Sequence, residues 1–227
     1  MMENTLSILK KAVLFNNFKL EEGQLQKIAD YLNLLNKWNQ KINLTAHRHI
    51  EDLIYKDIID ALYLRKARLS LAPNAHSYLD FGAGAGFLGI IESLLDPNLK
   101  IGFLDSDRKK MNFIKQTYRE LNLGEAFYLN IRGEQFPKEW KEYFEIVTTR
   151  ATLKIKGFLE NVHYYVQNKG YLLFMAGKSS DLDSPEMLDF KGLERLDDFD
   201  YTISPKNYTR KILSVKKISS VVSRETS

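Results

Sequence analysis

The feature that most narrows what this chain can become is a change of periodicity at Pro73-Asn74. Beyond it, short apolar runs of strand length alternate with longer stretches at helical spacing. Strands are expected near 77–82, 99–105, 126–130, 144–149 and 170–176, and helices near 86–96, 107–122 and 152–168. This alternation predicts an α/β fold, a mostly parallel sheet wrapped by helices. The tail departs from it: Phe199 to Ser204 and Lys211 to Lys217, joined by Pro205-Lys206-Asn207, predict an antiparallel C-terminal hairpin that closes one sheet edge. Before the break, Leu6, Leu9 and Val13, then Leu25, Ile28, Leu32, Leu35 and Trp38, and then Ile54, Ile58, Ala61, Leu62 and Arg65 recur at helical intervals. Residues 1–75 are therefore expected as a helical N-terminal extension and 76–227 as the α/β domain.

Composition narrows the chemistry. With 44% hydrophobic and 27% charged residues among 227, the chain can bury one sizeable core. It contains no cysteine, which excludes a disulfide framework, a thiol nucleophile, a cysteine zinc site and an iron–sulfur cluster. The longest apolar run, Tyr171 to Ala176, is six residues, far short of the roughly 20 that cross a bilayer. With an acidic residue, Glu3, near the start and no leader pattern, a cytoplasmic protein with no membrane partner is the expectation. Charge is unevenly spread: residues 1–76 carry 11 Lys and Arg against 8 Asp and Glu, and residues 205–227 carry six against one. If the two ends meet on one face, they form a patch that attracts a polyanion.

The strongest motif is Asp80-Phe81-Gly82-Ala83-Gly84-Ala85-Gly86, between the first expected strand and the helix after it. Ligands of such sheets sit at the carboxyl ends of the strands, near the point where strand order reverses. Glycines there let the chain turn tightly and bring bare backbone against a ligand. Gly84-x-Gly86-x-x-Gly89 also fits a dinucleotide fingerprint, but that pattern starts at the strand end, where this chain already has Asp80 and Gly82. The acid-x-Gly-x-Gly-x-Gly order instead resembles Rossmann-like S-adenosylmethionine methyltransferases. Asp105, ending the second strand, suits the hydroxyls of a ribose, while Ser106 or Asp107 is the better cap for the following helix. Asn130-Ile131-Arg132-Gly133-Glu134, after the third strand, lies where such folds hold adenine.

Several separate stretches then resemble one family. Trp38-Asn39-Gln40-Lys41-Ile42-Asn43-Leu44-Thr45, the loop from Asp80 to Gly89, Leu104-Asp105-Ser106 and Thr149-Arg150-Ala151 are similar to the GidB/RsmG family of bacterial enzymes that methylate nitrogen 7 of a guanine in small-subunit (16S) ribosomal RNA. The resemblance implies S-adenosylmethionine as cofactor, held by Asp80, Gly82, Gly84, Gly86, Phe87, Asp105, Gly133, Glu134 and Arg150. It also implies RNA contacts from Lys178 and Arg210, and ribosomal RNA or a small-subunit precursor as partner of a monomeric enzyme; Arg48, between two histidines, reads from the residues themselves as a contact to an RNA phosphate. Guanine nitrogen 7 has a lone pair and no proton to lose, so no general base is demanded. Arg150 is expected to hold the methionine carboxylate or an RNA phosphate.

The chain also departs from the family. Ala85 and Leu88 stand where its loop usually has prolines, Gly177-Lys178 reverses its Lys-Gly, and Asp57-Ile58-Ile59-Asp60-Ala61 replaces its His-Ile-Leu-Asp-Ser, so no histidine occupies that position. These departures leave two alternatives open, a noncatalytic RNA-binding assembly factor and a small-molecule methyltransferase. His47-Arg48-His49 lacks a third ligand at metal spacing, so no metal is expected. Trp38 reads as core. The acidic stretch Asp181 to Asp200 reads as a solvated, mobile loop away from substrate.

Overall fold

The computed structural model describes residues 4–135, 137–150, 155–176 and 192–218. Five parallel strands, β1 (Ser77–Phe81), β2 (Lys100–Leu104), β3 (Ala126–Leu129), β4 (Phe144–Arg150) and β5 (Val166–Ala176), are followed by β6 (Leu193–Arg195), β7 (Phe199–Ile203) and β8 (Tyr208–Lys217). The sheet runs β3-β2-β1-β4-β5-β8-β6. β8 is antiparallel to β5, and its outer edge is shared, Tyr208 to Ile212 pairing with β7 and Val215 to Lys217 with β6. The expected hairpin is there, with a longer second strand. Strand order reverses between β1 and β4, so the crevice of this doubly wound sheet opens at their carboxyl ends.

Pleating sorts the side chains into two layers. Tyr78, Ile146 and Leu173 join one apolar cluster, while their neighbours Leu79, Val147 and Leu172 join the other. The first cluster lies beneath α1 (Thr5–Phe15), α2 (Glu22–Asn39), α3 (Ile50–Leu53), a π-turn at Ile54–Ile58, α4 (Ile59–Leu71), α5 (Phe87–Leu95) and α6 (Arg108–Leu121). α7 (Ile155–Val162) covers the second, through Leu159 and Val162. The N-terminal helices thus share one core with the sheet. They are also tied to the far end of the chain: the Asn16 amide donates to the Ser204 carbonyl at 2.9 Å and accepts from the Ser204 N–H at 2.9 Å, and Tyr63 stacks on Tyr201 with ring centres 4.2 Å apart.

Two sequence expectations are corrected. The helix expected to reach residue 168 ends at Val162, and β5 starts at Val166, earlier than expected. Val166 pairs with Phe144, and the register then jumps to Ile146↔Tyr171, so an irregularity in the strand masks its true start. The acidic stretch is not one loop. Its described end forms β6 and the start of β7, where Lys211 lies 3.3 Å from Asp198 and 3.9 Å from Asp200. Pairing with β8 and this lysine offset the low strand propensity of the carboxylates. The stretch from 181 to 191 lies outside the described residues, as does Lys178. Trp38 packs edge-on against Phe113 at 5.7 Å, as the core reading requires.

Candidate active site

Four strand ends meet at the crevice. The β1 loop is anchored to β2 by main chain: the N–H groups of Gly82 and Ala83 both donate to the Leu104 carbonyl, at 2.8 and 2.9 Å. The Gly84 N–H donates to Asp105 Oδ2 at 2.8 Å. Gly82, Gly84 and Gly86 have φ of 71°, 59° and 81°, a conformation that a Cβ disfavours. At Gly84 an added Cβ would meet nothing nearer than the Gly82 carbonyl at 3.9 Å, so it would project into the open cradle of the loop. At Gly86 the requirement is packing, since a Cβ would come within 2.9 Å of Ile90 and 3.1 Å of Ile114. The bare cradle and the half-buried Asp105 at its rim fit an adenosyl group with a ribose diol.

Asp105 is not spent on capping. Asp107 caps α6, its side chain accepting from Lys109 N–H at 2.8 Å, while Asp105 Oδ1 accepts from Asp107 N–H at 2.8 Å. Two backbone donors leave a carboxylate with further acceptor capacity. Beside it, the Asn130 amide donates to the Asp105 carbonyl at 2.8 Å, and Gly133 starts a 3₁₀ turn whose Gly133 carbonyl accepts from the Tyr165 hydroxyl at 3.0 Å. Glu134 in that turn is exposed. Gly82, Gly84, Gly86, Asp105, Gly133 and Glu134 therefore belong to the loops at the carboxyl ends of three adjacent strands.

Asp80 and Phe87 lie deeper than Gly82 and Gly84 beside them. Asp80 is buried behind the loop, where Oδ2 accepts from Gly89 N–H at 3.0 Å in the first turn of α5. Burial pushes its carboxyl up to about 7, against the Gly89 hydrogen bond and the charge of Arg150. Through that bond it seats the helix. Phe87 is also buried, its ring edge-on to Tyr31 at 5.9 Å, and Arg150 lies over it at 4.9 Å. The Tyr31 hydroxyl, fully buried in α2, donates to the Ala85 carbonyl at 3.0 Å, so the N-terminal helices buttress the loop from outside.

Arg150 ends β4 beside this loop. It makes an ion pair with Asp57 of the π-turn, whose second oxygen lies 2.8 Å from His47 Nδ1. Burial works against the Arg150 charge, but Asp57 outweighs it and the guanidinium is held above its usual range. The sequence singled out both Arg150 and the absence of a histidine at position 57, but not that His47 would lie against Asp57. Asp60, one turn on, accepts from the Tyr201 hydroxyl at 2.8 Å and has Arg210 at 3.7 Å. Burial pushes Asp60 up to about 6. Arg48 is exposed, 3.4 Å from Asn43 Oδ1, in a loop folded around Asn39, which accepts from the N–H groups of Leu44 and Thr45 and donates to the Thr45 and His47 carbonyls. Tyr31, Asp57 and Asp60 were not singled out as neighbours of the loop, because their partners Ala85, Arg150 and Tyr201 are distant in sequence, and His47 enters only through Asp57.

A glycine cradle, an acid ending the second strand and a crevice at the reversal of a mostly parallel sheet together define a Rossmann-like, S-adenosylmethionine-dependent methyltransferase. The family model described as GidB, rRNA small subunit methyltransferase G, matches residues 24–190, and the chain belongs to that family. It is accordingly an enzyme that methylates small-subunit ribosomal RNA. It is 31% identical over 209 residues to a ribosomal RNA small subunit methyltransferase G of Desulfitobacterium hafniense, covering 90% of this chain and 85% of that one. A protein of the same name from Geobacter sp. strain M21 is 29% identical, covering 95% and 99%. In fold, it is similar to the magnesium protoporphyrin IX methyltransferase of Synechocystis, a crystal structure with bound SAM, at a TM-score of 0.58 and 13% identity over 88% of this chain and 99% of that one. Among the described residues no cluster of His, Cys, Asp and Glu could hold a metal ion, and no helix is long and apolar enough to cross a membrane.

Proposed function

We propose that the acceptor is nitrogen 7 of a guanine in 16S ribosomal RNA, and that the crevice between β1 and β4 is where the methyl is transferred. The observation that supports this reading is the juxtaposition of the open Gly84 cradle, the half-buried Asp105 and Arg150 at neighbouring strand ends. When bound, S-adenosylmethionine supplies an electrophilic methyl group on a sulfonium sulfur. Gly82, Gly84 and Gly86 present bare backbone to it, Asp105 accepts from the ribose hydroxyls, and the Gly133-Glu134 turn borders the adenine. Asp80 and Phe87 support that pocket from behind. Because the nitrogen 7 lone pair attacks without losing a proton, the residues contribute alignment and electrostatics rather than a base.

RNA approaches over Arg48, beside Asn43 in the loop after α2, and Arg210, on β8 beside Asp60 of α4; Lys178 is the third proposed contact. In this scheme residues 1–75 are a helical extension carrying part of the RNA face, and 76–227 are the methyltransferase domain of a monomeric, cytoplasmic enzyme acting on ribosomal RNA or a small-subunit precursor. Labelled-methyl transfer to purified small-subunit RNA and to precursor particles, followed by mass spectrometry of the nucleosides, tests it. The expected product is 7-methylguanosine. Cofactor binding with no transfer to either acceptor would overturn the reading in favour of an assembly factor, and transfer only to small molecules would refute the RNA acceptor.

A further inference from the structure

Asp57 is the least expected group near the crevice. It lies in the π-turn Ile54–Ile58, a helical irregularity of a kind that recurs at functional sites, and its side chain is fully buried. A buried carboxylate costs several kcal/mol unless its oxygens are matched by donors. Here both are: Oδ1 accepts from Arg150 Nη1, 93 residues away, and Oδ2 is 2.8 Å from His47 Nδ1. Arg150 is thereby pinned over the Phe87 ring that opens α5, at the foot of the glycine loop. In the family segment this position carries a histidine. Here the position holds a carboxylate, and the imidazole beside it belongs to residue 47.

The charge balance gives that exchange a consequence. Methyl transfer to nitrogen 7 moves a positive charge from sulfur onto the purine, and an unpaired guanidinium beside it would oppose the reaction. Resting on the methyl-transfer reading above, we infer that Asp57 is a positioning residue for the reaction, fixing the Arg150 guanidinium and cancelling its charge, and that His47, sharing the carboxylate, makes this cancellation depend on protonation. With His47 neutral the three groups sum to zero; with His47 protonated they sum to +1. The charged groups around His47 are Asp57 and Lys56 on the π-turn, Asp52 on α3, Arg150 from β4, and its neighbours Arg48 and His49. The hydrogen bond to Asp57 holds the imidazole above its usual range, over the opposing effects of burial, Lys56 and Arg150. The cationic form therefore persists toward neutral pH. His47 is part-exposed, so its second ring N–H then adds a donor for a phosphate while it slows the transfer.

The test combines steady-state methyl transfer from labelled cofactor at pH 6 to 9, calorimetry with S-adenosylmethionine, and NMR of the arginine side-chain nitrogens, on the wild type, Asp57→Asn and His47→Gln. Asp57→Asn keeps the side-chain shape. It is expected to lower kcat about tenfold or more, with cofactor affinity changed less than about twofold and the Arg150 guanidinium resonances losing their protection. Wild-type kcat is expected to rise about threefold to tenfold as His47 loses its proton, with KM for RNA rising in step, while His47→Gln is flat in both. Unchanged kcat and unchanged Arg150 resonances in Asp57→Asn, or the wild-type profile persisting in His47→Gln, would overturn the inference. If the wild type transfers no methyl at any pH, the proposed function fails, and the Arg150 resonances of Asp57→Asn still decide whether Asp57 positions that side chain.

Discussion

The two sides of the crevice are built by opposite means. On the side proposed for the cofactor, the β1 loop is held by the Leu104 carbonyl and Asp105 through main-chain N–H groups, and the surface it offers is backbone from a few consecutive residues. On the side proposed for the acceptor, Arg150, Asp57 and His47 come from three separate segments, and Asp60, Tyr201 and Arg210 bring together α4 and the C-terminal hairpin. Shape is made locally, whereas charge is made by assembly. A surface that must fit tightly against a ligand gains from short-range backbone geometry, and one that must balance charge needs side chains gathered from wherever the fold brings them.

The largest effect that probes this contrast is expected from Gly84→Val. The β-branched side chain at a φ of 59° is strained and fills the cradle, so cofactor affinity should fall more than about 100-fold by calorimetry. Retained affinity would show that the cofactor side is not shaped by bare backbone. Asp105→Ala removes the acceptor of the Gly84 N–H and the proposed ribose partner, and on the order of tenfold to 100-fold weaker cofactor binding is expected. On the other side, Arg210→Ala should leave cofactor binding alone, weaken RNA binding several-fold and reduce the salt-dependence slope by about 1, measured by filter binding across a salt series. A loss of cofactor affinity instead would merge the two sides. The smallest effect is expected from Tyr31→Phe, which deletes the 3.0 Å bond to the Ala85 carbonyl: about 1 kcal/mol of stability by denaturant unfolding, with about a threefold loss in cofactor affinity. No change in either would mean that α2 only covers the loop.

Much of the local geometry around the glycine loop was legible from the residues alone. The acid-x-Gly-x-Gly-x-Gly order fell between an apolar strand and a helix, Asp105 fell at the next strand end, and Ser106 or Asp107 read as a better cap than Asp105, a choice that the Lys109 and Lys110 N–H groups make by donating to Asp107. These are local rules of backbone geometry, satisfied within a few residues. The start of β5 and the strand β6 were not legible, since one follows a register jump and the other is a three-residue strand that exists only by pairing with β8. That Asp80 accepts from the Gly89 N–H was not legible, because this bond depends on where α5 packs.

The sequence by itself determined the alternating elements, the glycine cradle and the family, because each is encoded in the order of neighbouring residues. Only the tertiary structure decided that Asp57 stands between Arg150 and His47, that Tyr31 holds the loop from behind, and that Asp60 meets Tyr201 and Arg210. Hydrogen bonds and ion pairs are interactions across space, and no spacing along a chain reveals which carboxylate the folded core will bury beside which cation.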